Sequence, residues 1–178
     1  MAASCCSNSP GTASMALQSG SVVEVTAPAG TELTLWLAAQ DFTMPTVPPG
    51  LEELATSLTI IPTFGNGMAT VENCVDQSNG LAPPLGTFCS APALIVHNSL
   101  TYSGNVSAAN NNSGDITSVS VPFSLSQVVT IMNTTDSQIL LQTRQTLTPV
   151  PEPASVVLVG TVLAGISALF RRKAARQS

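Results

Sequence analysis

Apolar and polar residues alternate over several short stretches of this chain, and a period of two predicts extended strands. In "TELTLWLA" Leu33, Leu35 and Leu37 fall on one face, with Glu32, Thr34 and Trp36 on the other. "SVSVPFSL" alternates in the same way through Val119, Val121, Phe123 and Leu125. Further strands are expected at 21–26, 58–61, 69–73, 93–97, 128–132 and 139–143. Between them "APAG", "VPPG", "FGNG", "APPLG", "NNNSGD" and "NTTD" supply turn residues. This spacing predicts a mainly β body, an antiparallel β-sandwich of about seven to nine strands. "PGLEELATSL" reads as one short helical turn with Glu52 and Glu53 near its start. Pro122 cannot donate to a ladder, which argues for a sheet edge or a bulge there.

The pattern changes near the C-terminus. Residues 154–170 form seventeen positions without a charge, most of them Val, Leu, Ile, Ala or Gly. A helix of that length spans roughly 25 Å, a little short of a hydrocarbon core of about 30 Å. Flanking Arg side chains snorkel and make up the difference. Arg171, Arg172, Lys173 and Arg176 follow the span. By the positive-inside rule they form the membrane stop, with the C-terminus cytoplasmic and the body on the far side. Before the span stand Pro151, Glu152 and Pro153. The two prolines hold this segment extended and keep it out of the helix, so its backbone is open to an enzyme. A buried core helix is the alternative reading of the apolar run, and a permanent single-pass anchor that of the whole tail.

The order of Pro-Glu-Pro, apolar span and Arg-rich end resembles the PEP-CTERM sorting signal of Gram-negative bacteria that make exopolysaccharide. The resemblance rests on Pro151, Glu152 and Pro153, on 154–170, and on Arg171, Arg172 and Lys173. It says nothing about the body. It implies a precursor held in the inner membrane, recognition by the membrane protease-transpeptidase exosortase, and cleavage near the motif. The body would then pass from the periplasm to the cell surface or extracellular matrix, with exopolysaccharide as an associate. The catalytic residues belong to exosortase, so no catalytic residue is expected in this chain.

Charge sharpens the picture. Charged residues make up only 8% and hydrophobic residues 44%, so Ser, Thr, Asn and Gln must supply the polar surface. Before Pro149 there are nine acidic residues and a single cation, Arg144. A body this acidic cannot neutralise phosphates, which excludes nucleic acid as a partner.

Candidate chemistry within the body is sparse. Cys74 and Cys89 flank "VDQSNGLAPPLGTF", and a disulfide closing that loop in an oxidising periplasm stabilises by about 3 kcal/mol. Two buried free thiols are the alternative, and Cys5 and Cys6 leave three pairings open. No CxxC is present and His97 is the only histidine, so no metal site and no cofactor are expected. His97 lacks the GxSxG context of a serine hydrolase and reads as structural or exposed. Glu52 and Glu53 are adjacent on a surface turn and point apart, unlike a glycosidase pair. "NNNSGD" lacks the acidic spacing of a calcium loop and reads as a hairpin turn. Trp36 and Tyr102 are the aromatics suited to stacking on a sugar ring, and lone aromatics are more often core residues.

The expected organisation is a disordered leader at 1–20, lacking the charged and apolar regions of a signal peptide, and a β-sandwich body at 21–144. A linker with the motif at 145–153, a transmembrane helix at 154–170 and a basic cytoplasmic tail at 171–178 complete it. The expected function is that of an exported, non-enzymatic surface or matrix protein. A carbohydrate-binding or adhesive module is the alternative.

Overall fold

Inward-facing apolar residues at every second position set the strands of the computed structural model, which describes residues 3–7, 9, 11, 15–43, 52–80, 88–89, 93–116, 119–150 and 161. Nine strands lie among them: β1 (Ala3–Ser7), β2 (Ala16–Ala27), β3 (Glu32–Phe42), β4 (Glu52–Phe64) and β5 (Asn66–Asp76), then β6 (Ala93–Ser103), β7 (Ala108–Ile116), β8 (Phe123–Asn133) and β9 (Ser137–Pro149). They form a five-stranded sheet, β1-β2-β9-β4-β7, and a four-stranded sheet, β3-β8-β5-β6. Every pairing is antiparallel. The sheets share a core in which Leu58, Ile60, Ile139 and Leu141 of the first meet Ala69, Val71, Val129 and Ile131 of the second. The mainly β antiparallel sandwich expected from the alternation is therefore present.

Most connections cross from one sheet to the other. The tightest is Gly65 alone, between β4 and β5. Its φ of 105° belongs to glycine, and a Cβ there would meet Ser137 Cα at 2.6 Å. Leu33, Leu35 and Leu37 pack inward as the alternation requires, and Trp36 on the opposite face is 46% exposed.

Several expectations are corrected. "PGLEELATSL" is no helical turn from Glu52 onward, because β4 begins there and pairs with β7 on one side and β9 on the other. Glu52, Leu54, Thr56, Leu58 and Ile60 point inward at period two. The Glu52–Glu53 pair hides this alternation, since one of its carboxylates is buried. "NNNSGD" is no hairpin turn, because residues 110–115 lie within β7. Its inward side is polar because Asn110 Oδ1 accepts from Asn98 Nδ2 and Asn112 Nδ2 donates to the backbone carbonyl of His97, both on the opposite sheet. Pro122 is not inside a strand, and β8 starts one residue later, after a cis Val121–Pro122 bond. Strand structure also reaches into 1–20 through β1 and the start of β2, and β9 covers 145–149, where the sequence suggests a linker.

Among the described residues no helix is long and apolar enough to cross a membrane. The segment 154–170, apart from Thr161, lies outside them, as do Pro151, Glu152, Pro153, Arg171, Arg172, Lys173 and Arg176.

A polar layer divides the core into two apolar halves. Along β5 the inward residues run Ala69, Val71, then Asn73, then Val75. Along β8 they run Ile131, Val129, then Gln127, then Leu125. Along β9 Thr143 and Gln145 stand between Leu141 and Leu147, and along β4 Thr56 stands between Leu58 and Leu54. Buried amides and hydroxyls are costly unless bonded. All of these but Gln145 join one chain of bonds, while Gln145 Nε2 donates to Gln18 and its Oε1 has no partner among the described residues. Thr143 Oγ1 donates to Gln127 Oε1 at 2.8 Å, Gln127 Nε2 to Asn73 Oδ1 at 2.8 Å, and Asn73 Nδ2 to Asn98 Oδ1 at 2.9 Å. Thr56 Oγ1 reaches the same Asn98 oxygen at 2.7 Å, and Asn98 Nδ2 continues to Asn110 Oδ1 at 2.9 Å. The chain of bonds crosses between the sheets at three places. A one-residue slip would turn the inward set to the outer face, and a two-residue slip would put these polar groups among aliphatic side chains, so the layer fixes strand register.

Candidate functional site

Three features bear on function: the end of β9, a staple on the four-stranded sheet, and a polar trough on the five-stranded one. β9 is held between β2 and β4, and its last residue, Pro149, is paired with Glu52. Val150 alone separates this anchored strand from Pro151. The sandwich therefore ends directly at the Pro-Glu-Pro segment.

The staple is the disulfide Cys74–Cys89, with Cα atoms 5.9 Å apart. Asn73 and Val75 point into the sandwich, so Cys74 points to the outer face of the four-stranded sheet. It is fully buried there. The loop after β5 is also pinned to the end of β3, where Gln40 Nε2 donates to Asn79 O at 2.6 Å and Asp41 N to Asn79 Oδ1 at 2.9 Å. Of the alternatives left open by sequence, the structure selects the bridge over two free thiols.

The trough lies on the outward side of β9, β4 and β7 and has a volume of about 570 Å³. Arg144, Ser57 and Asn111 stand in one row across the three strands, and Thr146, Ala55 and Ser113 in the next. Glu53 lies at one end, and Asp115 is its partner in register on β7. Among the described residues Arg144 enters no ion pair. In the sequence Arg144 stands out as the lone cation of the body, but nothing there places it in a site. Only the pairing of β7 with β4 brings the Asn-rich segment beside it.

The other residues considered from sequence are dispersed. His97 is exposed on β6, with Nδ1 3.6 Å from Glu72 Oε1 on β5. Glu52 is buried and Glu53 faces the trough, so the two carboxyls lie on opposite faces of one strand. Burial pushes the Glu52 carboxyl up to about 7, and its Oε2 has no hydrogen-bond partner among the described residues. Tyr102 is buried and its hydroxyl bonds Asn133 Oδ1, so it offers no face to a ligand. Burial also raises its phenol, against a smaller lowering by the Ser137 hydrogen bond. Trp36 remains exposed on the edge strand β3, level with Val128, Glu72 and His97 across the sheet. Among the described residues no three His, Cys, Asp or Glu side chains converge as metal ligands would.

Residues 149–173 match the PEP-CTERM protein-sorting motif. The match covers the C-terminal segment that follows the sandwich and starts on the last residue of β9. No curated protein matches the chain. Among solved structures, the chain is similar to TmCBM61, solved in complex with beta-1,4-galactotriose, at 6% identity and a TM-score of 0.37 over 81% of this chain and 86% of that one. A family 16 carbohydrate binding module-2 is similar at 9% identity and a TM-score of 0.32 over 70% and 72%. A protein of Bacillus endospore appendages, described as disulfide-linked pili, is similar at 15% identity and a TM-score of 0.31 over 83% and 97%. Likenesses at these scores assign no function to the body.

Proposed function

We propose that this chain is an exported surface or extracellular-matrix protein, sorted and processed by exosortase through its C-terminal segment. The match of residues 149–173 to the sorting motif carries this reading. In the precursor, 154–170 spans the inner membrane, Arg171, Arg172, Lys173 and Arg176 hold the C-terminus in the cytoplasm, and the sandwich stands in the periplasm. Pro151, Glu152 and Pro153 are the recognition segment, and cleavage near them frees the body for the cell surface. The Cys74–Cys89 bridge suits an oxidising compartment.

The body itself acts as a non-enzymatic binding module, and the polar trough beside Arg144 favours a glycan as what it holds. The domain division is a sandwich followed by the motif, span and basic tail. Protease added to intact spheroplasts tests the topology. It is expected to degrade the body and spare an epitope placed after Ser178; a protected body with a degraded epitope would refute the arrangement.

A further inference from the structure

We infer that the trough on the five-stranded sheet binds a carboxylate-bearing glycan, with Arg144 as the anion contact. The inference rests on the reading of the body as a glycan-binding module and adds the charge class of its ligand. Arg144 is the only Lys or Arg before Pro149, and it stands where Ser57, Asn111, Ser113 and Thr146 gather. A planar guanidinium presents paired N–H donors that match a carboxylate with two parallel bonds. The surrounding hydroxyls and amide both donate and accept, which is what sugar hydroxyls need. The trough is shallow and open to solvent, so a ligand would lie across it rather than be enclosed.

The lining also argues against other occupants. A neutral sugar is usually held by stacking on an aromatic ring, and no aromatic among the described residues lines this trough. A peptide added to a sheet needs a free edge; β9 and β4 are paired on both sides, and the open edge of β7 faces away from β4 and Arg144. The body's negative charge does not bar an anion from this place. Glu53 and Asp115 are the nearest acids along these strands, four positions from Ser57 and Asn111. That is about 13 Å along the backbone at roughly 3.3 Å per residue. A carboxylate bonded to Arg144 would be in contact with the guanidinium, and neither acid is paired with that guanidinium among the described residues.

The test compares oligomers of galacturonic acid and of galactose, which differ in the carboxylate, in an NMR titration of the full-length chain in mild detergent. The acidic oligomer is expected to shift the amide resonances of Ser57, Asn111, Ser113 and Thr146 at millimolar concentration, with the neutral one weaker by about tenfold or more. Arg144→Gln should abolish that difference, and Arg144→Lys should restore part of it, with the remaining spectrum unchanged as a check of folding. Equal binding of both oligomers with Arg144→Gln like wild type overturns the role of Arg144 while leaving the glycan reading standing. No shift with either oligomer overturns both. A poly-glutamate peptide that shifts the same resonances as strongly overturns the choice of a glycan.

Discussion

Thr143 and Gln127 bridge the two sheets, with Thr143 Oγ1 donating to Gln127 Oε1 at 2.8 Å in the middle of the core. Both side chains are buried, and the bond is one step of the layer that runs through Asn73 and Asn98 to Asn110. Thr143→Val keeps the shape and removes the donor, leaving a buried carbonyl oxygen short of a partner. The expected loss is about 1–3 kcal/mol, read as a lower urea midpoint at unchanged slope. A variant as stable as wild type would show that this bond contributes nothing net.

The Cys74–Cys89 bridge closes a loop with a sequence separation of 15 residues. The paired substitution Cys74→Ser with Cys89→Ser should cost about 3 kcal/mol, and a reducing agent should lower the wild-type midpoint by a similar amount. Identical unfolding curves with and without reductant would contradict a stabilising bridge.

Glu52 gives stability a pH dependence of unusual sign. Its carboxyl is raised from 4.5 to about 7 in the folded chain by burial. Between those values the folded state holds more protons than the unfolded one, so this group's contribution is full below pH 4.5 and is lost as pH rises to 7. Glu52→Gln removes the effect. The stability of the variant relative to wild type should therefore rise across that window, by on the order of 1–3 kcal/mol. A difference that stays constant with pH would place the Glu52 carboxyl in a solvated setting instead.

Trp36 is the only tryptophan and is 46% exposed on β3. Its fluorescence should be strongly quenched by acrylamide in the native protein, and Trp36→Ala should change stability by less than about 1 kcal/mol. A blue-shifted, protected emission would mean that the outer face of the four-stranded sheet is covered.

The parts of the fold legible in sequence are those where alternation pits Leu or Val against polar residues, as at Leu33, Leu35, Leu37 and Trp36. Where the inward residue is an amide or a carboxyl, the period of two disappears. Asn73, Asn98, Gln127 and Glu52 therefore look like turn or surface residues until the opposite sheet supplies their partners. The Asn-rich part of β7 passes for a turn for the same reason. The trough is hidden with it, because no local signal pairs Asn111 with Ser57 and Arg144. Tyr102 gives no hint from sequence that Asn133, some thirty residues away, claims its hydroxyl. The terminal segment is readable because its information is local: three residues, an apolar run and four cations in order.

Export and processing through the C-terminal segment are tested by the intact mass of the body, recovered from the surface of a host that contains exosortase. A species ending near Pro151–Pro153 and lacking 154–178 is expected, and a full-length precursor when Pro151, Glu152 and Pro153 are all changed to Ala. A full-length mature chain, or a triple variant shortened like wild type, would contradict this processing.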